Sequence, residues 1–192
     1  MRKSLGLGLG AAAIISIGLT PTAGWAAVTN TAAHTSVAGN PSPGDPDTTV
    51  TFTVTTGALA MTAPTAVNLG SGAPGTTISG SLGTVTVTDD RALLSAAWTA
   101  TASSTAFTTG GGTANETIPA SDVTYTPGPI TTTGTITATG TIITLSSASQ
   151  TTVAATAGVG DNTASWDPTL AVAVPAAAVA GLYTGTLTQS AA

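Results

Sequence analysis

Cysteine is absent from this sequence of 192 residues, and basic residues are nearly absent. A chain without cysteine has no disulfide framework, no thiolate ligand for zinc and no cysteine for a lipid anchor. Three Lys and Arg residues stand against eight Asp and Glu, so the formal net charge at pH 7 is −5. Since Arg2 and Lys3 belong to the N-terminal segment, Arg91 is the one basic residue beyond it. Clustered cations bind nucleic acids and anionic membranes, so we expect neither partner.

Groups for catalysis are equally scarce. His34 is the only histidine and lies in a weakly patterned segment, and Glu116 is the only glutamate. A catalytic triad or a pair of facing carboxylates needs such groups within reach of one another. There is no Gly-x-Ser-x-Gly elbow either. We therefore expect no enzymatic activity, no catalytic residues and no cofactor.

Calcium is the one metal that the acidic residues could bind, because it takes hard oxygen ligands from turns. No loop has an ordered series of ligands, so surface turns are the favoured interpretation and no metal site is predicted. The three loops concerned contain Asp45 with Asp47, Asp89 with Asp90, and Asp161 with Asn162.

The N-terminus has the order of a secretory signal peptide. Arg2 and Lys3 precede an apolar run from Leu5 to Leu19, and small residues follow to Ala26. The run is shorter than the roughly 20 apolar residues of a membrane span, which disfavours a membrane anchor. We predict a signal peptide over 1–26, a secreted extracellular protein and no membrane association after cleavage.

Threonine alternates with apolar residues in several stretches after the signal segment. A period of two places apolar side chains on one face of a strand and threonines on the other. About eight to ten such strands, separated by turns and without a substantial helix, predict an all-β protein with an antiparallel β-sandwich. A disordered Thr- and Pro-rich stalk is the alternative, but a stalk has no use for a regular apolar face. We predict a leader and loop over 27–47 and one sandwich domain over 48–192. The clearest strand patterns cover 49–55, 82–88, 94–102 and 183–188.

Two turns are predicted from local polarity. Asp89–Arg91 should connect the strands 82–88 and 94–102, and Gly158–Asn162 should form another turn.

The few aromatic residues separate into core and site candidates. Phe52, Trp98 and Tyr183 lie on the apolar phase of their strands, so we expect them in the core. Trp166 stands beside Asp167 at a predicted sheet end. An exposed ring with polar neighbours is typical of a sugar site. The candidate ligand-binding residues are Trp166, Asp161, Asn162 and Asp167.

Four segments in this order resemble the WxL-domain surface proteins of Gram-positive bacteria, in particular those of high-GC species. They are Leu82–Asp89, Trp98–Ser103, Ile118–Tyr125 and Gly181–Thr188. Trp98 corresponds to the first Trp of the motif, and Ala100 stands at the position of the Leu that gives the family its name. The resemblance implies an Ig-like or WxL-like β-sandwich held non-covalently on the cell wall through peptidoglycan.

Three functions are consistent with these features. The first is a non-enzymatic, wall-associated surface protein, with cell-wall polysaccharide or other surface proteins as partners. The second is a structural or adhesin-like subunit that assembles through strand edges, because the strands carry almost no Lys or Glu to block an edge. The third is a secreted carbohydrate-binding module.

Cleavage of the signal peptide can be checked directly. We expect the secreted protein to begin near Ala27, as read by N-terminal sequencing. A membrane-bound product that still begins with Met1 would contradict the predicted export.

Overall fold

The computed structural model describes residues 28–29 and 48–192. Within these residues the helical elements are two short 3₁₀ turns, Ala114–Glu116 and Ala120–Asp122. The strands, numbered β1 to β13 in chain order, are Val28–Thr29, Thr53–Val54, Leu59–Thr62, Thr77–Ser81, Val85–Ser104, Phe107–Thr108, Thr117–Ile118, Val123–Thr126, Ile130–Gly140, Ile143–Thr144, Gln150–Trp166, Thr169–Ala173 and Leu187–Ala191.

The predicted all-β class is confirmed, and antiparallel sheets pack against each other as a β-sandwich. One sheet has four strands in the order β10-β8-β12-β4. The other has five strands, with the order β13-β5-β11-β9 and with β3 also paired to β5. β3 pairs with the first part of β5 and β13 with its last part, both on the edge opposite β11.

The long strands β5, β11 and β9 bend in one shared region, which we call the corner and which contains Ala92 of β5, Gly134 of β9, and Ala157 and Gly160 of β11. In β5 the buried positions change from odd numbers, as at Val87, to even numbers, as at Trp98. The β5–β11 register slips over the same stretch, as it does where strands turn a corner through bulges. The backbone φ angle is positive on all three strands there, at Ala92 (53°), Gly134 (75°), Ala157 (56°) and Gly160 (64°).

An ion pair is formed within the corner. The carboxylate of Asp89, a residue only 1% exposed, accepts hydrogen bonds from Arg91 Nε at 2.8 Å and Nη2 at 2.9 Å. Nη2 also donates to the carbonyl oxygen of Ala97 at 3.0 Å, so Arg91 joins the two halves of β5. The Arg91 guanidinium lowers the pKa of Asp89, and Asp89 in turn raises the pKa of Arg91.

Both predicted turns are wrong, because Asp89–Arg91 lies inside β5 and Gly158–Asn162 lies inside β11. The polar residues that indicate a turn are instead paired or accommodated in the bulges of the corner. The last predicted strand is also shifted, since β13 begins at Leu187. Tyr183 precedes it in an irregular segment, where its hydroxyl donates to the carbonyl oxygens of Asn115 and Val179.

Two groups of buried side chains form the core. The first lies between the two sheets and includes Leu82, Tyr125 and Leu170. The second includes Val85 and Trp98, and its buried members all come from β5 and β11. That second group exists because the five-stranded sheet folds back on itself at the corner.

Gly57–Ala192 is one compact unit. In the preceding residues, β2 pairs with β1. Phe52 is 63% exposed, so its predicted place in the core is wrong. The reason is that the segment around β2 is not a strand of either sheet of the sandwich. Among the described residues, no helix has the length and apolarity to cross a membrane.

The ion pair should make stability depend on acid pH. We expect Asp89→Asn to lower the free energy of unfolding by about 2–3 kcal/mol at pH 7, because it removes the charge of the carboxylate and one of the two oxygens that accept hydrogen bonds from Arg91. Since the folded-state pKa of Asp89 is lowered, its contribution is present above the unfolded-state pKa of about 3.9 and disappears as the pH falls through the folded-state value. Urea unfolding between pH 2 and 7 measures both effects.

Asp90→Asn is the matched control for that variant, because Asp90 is exposed on the same bulge. It should change stability by no more than about 0.5 kcal/mol. Equal losses for the two variants would contradict the role given to the Asp89–Arg91 pair.

Candidate functional site

The four residues of the predicted sugar site differ in burial. Asp161 and Asp167 are exposed, whereas Asn162 and Trp166 are 3% and 2% exposed. Trp166 lies on the inward phase that β11 adopts after the corner, so the predicted exposed ring is a core side chain. The cluster therefore presents carboxylates to solvent but no aromatic face.

Trp166 instead begins a chain of hydrogen bonds between the two sheets. Its Nε1 donates to the Tyr125 hydroxyl at 3.0 Å, and that hydroxyl donates to Gln189 Oε1 at 3.1 Å. Tyr125 belongs to β8 of the four-stranded sheet, and the other two residues belong to the five-stranded sheet. Burial raises the pKa of Tyr125, so the hydroxyl keeps its proton. This chain of hydrogen bonds connects the two groups of buried side chains that form the core.

Asn162 has a local role at the corner. It pairs with Asp89 across the β5–β11 ladder, and its Nδ2 donates to the carbonyl oxygen of Gly160 at 3.2 Å. Its Oδ1 is buried without a hydrogen-bond partner in the described structure. The Asp89 carboxylate opposite it binds Arg91.

The structure brings no three His, Cys, Asp or Glu side chains together as metal ligands within residues 48–192. Asp45, Asp47 and His34 lie outside the described residues. Glu116 is occupied locally, because it accepts hydrogen bonds from the Thr113 backbone N–H at 2.9 Å and from the Thr113 hydroxyl at 2.7 Å. The Thr113 backbone hydrogen bond also lowers the pKa of Glu116.

Strand register aligns hydroxyl groups in two rows on the outer surface of the five-stranded sheet, a surface that we call the hydroxyl face. One row crosses four of the five strands, β3, β5, β11 and β9, with a hydroxyl on each, and the next row has three hydroxyls. Neighbouring strands are about 4.8 Å apart, so the rows are regular. Hydrogen bonds within a row hold some groups in place, as between Thr86 and Ser165 at 2.9 Å. The rows are Thr62–Thr86–Ser165–Thr131 and Thr88–Thr163–Thr133.

A shallow depression of about 290 Å³ adjoins the first row. Thr131 and Ser165 of that row line it, together with Thr84 and the exposed Asp167. Hydroxyls that donate and accept thus lie beside one carboxylate that only accepts. The Thr alternation predicts that hydroxyls share a face, but their alignment into rows depends on register, which the sequence does not reveal.

A second concave surface, which we call the apolar cleft, adjoins the group of buried side chains between the two sheets. It has a volume of about 540 Å³, and none of its lining residues is charged. Leu82 and Leu170 of the core form part of its lining, as do the half-buried rings of Phe107 and Tyr183. Leu182 on its rim is 81% exposed.

No protein-family model matches this chain, and no curated protein or solved structure shows significant similarity to it.

The two buried tryptophans offer a paired test of the hydrogen-bond chain. The Nε1 of Trp98 has no hydrogen-bond partner among the described residues, whereas that of Trp166 binds Tyr125. Both Trp→Phe substitutions remove similar volume, but only Trp166→Phe also removes a hydrogen bond. We expect Trp166→Phe to cost about 1 kcal/mol more than Trp98→Phe in urea unfolding. Equal costs, or a larger cost at Trp98, would show that this chain of hydrogen bonds does not stabilise the fold.

Proposed function

We propose that this chain is an exported, non-enzymatic cell-surface protein that associates non-covalently with cell-wall polysaccharide through the hydroxyl face. The observation that carries the proposal is the alignment of seven Thr and Ser hydroxyls in two rows over four strands. Peptidoglycan is the proposed polysaccharide, and the depression beside Asp167 is the part of the surface that receives a sugar unit.

The chemistry of the hydroxyl face suits a neutral glycan chain. Each hydroxyl both donates and accepts, as sugar hydroxyls do, and bridging water serves such contacts nearly as well as direct contact. The spacing between strands is of the order of one pyranose ring, so a glycan lying along a row meets a new hydroxyl at each sugar. Many weak contacts of this kind suit attachment to a large polymer, because each additional contact acts at high effective concentration.

Two features of the sequence support this proposal. The segment 1–26 has the pattern of a signal peptide, which gives the protein access to the wall. The order of the four segments around Trp98 and Tyr183 resembles WxL-domain proteins, for which non-covalent wall attachment is implied. A secreted carbohydrate-binding module is the related alternative, and it differs in binding glycans other than those of the wall.

Removal of hydroxyls from the first row should weaken wall binding. We expect the double variant Thr86→Val/Thr131→Val to be retained on purified wall sacculi at least about tenfold less than the unsubstituted protein. Valine keeps the β-branched shape that suits a strand, so folding should be preserved while hydrogen bonds are lost. Retention is measured by sedimentation with the sacculi, with chitin and cellulose as comparison polymers.

The matched control is Thr126→Val/Thr169→Val, a registered pair on the four-stranded sheet. This control should bind the wall normally. Equal loss in both double variants would place the contact elsewhere, and stronger binding to chitin or cellulose than to sacculi would favour the carbohydrate-binding module.

A further inference from the structure

The five-stranded sheet ends at β9, a strand of 11 residues whose outer edge has no strand beside it. Among residues 57–192, β11 is the one ladder partner of β9, and no loop backbone bonds to the outer edge. β9 contains no charged residue and no proline, although charges and proline are common means of keeping an exposed edge from pairing. Its outer edge therefore presents backbone groups that are available to another strand.

The part of β9 after the corner, residues 135–140, has the regular geometry that pairing needs. It follows the bend at Gly134 and measures about 20 Å in extended form. Thr141 N–H donates to the carbonyl oxygen of Thr152 in β11. Because successive residues of a strand direct their backbone groups to opposite edges, Ile136 and Ala138 direct theirs to the outer edge.

The side chains of residues 135–140 are complementary to a second copy of themselves. Ile136 and Ala138 face inward and pack, half-buried, against the second core group. Thr135, Thr137 and Thr139 are exposed on the other face. An antiparallel copy with its Thr137 opposite the first Thr137 brings Ile136 of each copy opposite Ala138 of the other. Threonine then faces threonine on the outer side, and both kinds of cross-strand pair are favourable.

We propose that two copies of this chain pair antiparallel through residues 135–140 of β9, about a two-fold axis at Thr137. Ile136 N–H of each copy donates to the Ala138 carbonyl oxygen of the other, and Ala138 N–H donates to the Ile136 carbonyl oxygen. The two five-stranded sheets become one continuous sheet, and each strand covers apolar area that the other leaves in water. The contact uses the same surface on both copies, so it closes as a dimer.

The dimer is independent of the proposed wall binding. The two hydroxyl rows include Thr131 and Thr133 of β9, which precede the bend at Gly134, whereas the dimer contact follows it. A single pair of strand edges is a small interface, so we expect a weak dimer with a dissociation constant of about 10–100 µM.

Sedimentation velocity of the mature protein over a range of concentrations tests the contact. We expect Thr137→Lys and Thr137→Glu each to weaken dimerisation at least about tenfold, because the two-fold axis places like charges directly opposite each other. Thr137 is exposed, so both variants should fold, as far-UV circular dichroism would verify. Thr99→Lys is the matched control, because Thr99 is an exposed threonine on the same face but in β5, two strands from the edge.

A mixture of the two Thr137 variants gives the decisive result. The Lys and Glu proteins should dimerise with each other although each alone is monomeric, because the axis then places opposite charges against each other. A mixture that stays monomeric, or a Thr137→Lys protein that dimerises like the Thr99→Lys control, would overturn the proposal. An unsubstituted protein that is monomeric at millimolar concentration would also overturn it. None of these outcomes bears on retention by wall sacculi, which is assayed separately.

Cysteine substitution tests the register, and the chain has no cysteine of its own to interfere. In the proposed pairing the two Thr137 residues form a non-hydrogen-bonded pair with Cα atoms about 4.5 Å apart, which a disulfide can span. Thr137→Cys should therefore form a covalent dimer on mild oxidation. Thr135→Cys should not, because the two copies of residue 135 are separated by about 13 Å along the strands. Equal cross-linking of both variants would contradict the two-fold axis at Thr137.

Discussion

The Asp89–Arg91 ion pair at the corner is the interaction on which the rest of the sandwich depends. β5 and β11 can fold back on themselves only where bulges change the phase of the buried residues, and Arg91 joins both sides of the bulge in β5 through Asp89 and the Ala97 carbonyl. The bend brings Val85 and Trp98 into one core group. A charged pair is costly to bury, but here the guanidinium remains partly solvated, with 28% exposure against 1% for Asp89.

Because the chain has so few charged residues outside the corner, its concave and flat surfaces are largely uncharged. The hydroxyl face offers hydrogen bonds without net charge, and the apolar cleft offers hydrophobic area with no charged residue in its lining. Surfaces of this kind bind without the strong salt dependence of charged interfaces. The hydroxyl face therefore suits the glycan contact that we propose for it.

The period-two alternation of threonine was sufficient to predict the all-β class, because it depends only on which side chains face the core. It could not predict where strands end. The polar run Asp89–Arg91 has the composition of a turn, and only the ion pair in the folded chain explains why the strand continues. Trp166 beside Asp167 at a predicted sheet end is a candidate for an exposed ring, but the phase change at the corner turns that ring inward. Phe52 has the pattern of a core residue, yet the pattern alone does not show whether its strand becomes part of a sheet of the sandwich.

β5 continues through the corner as one bent strand, and amide hydrogen exchange at Asp90 tests this continuity most directly. In the structure this N–H donates to the carbonyl oxygen of Ala58 at 3.0 Å, which ties β3 to β5 at the corner itself. We expect its exchange to be slowed to nearly the same degree as that of the neighbouring residues of β5, because it opens only with the sheet. Exchange as fast as in an exposed loop would show that Asp89–Arg91 is a turn between two separate strands.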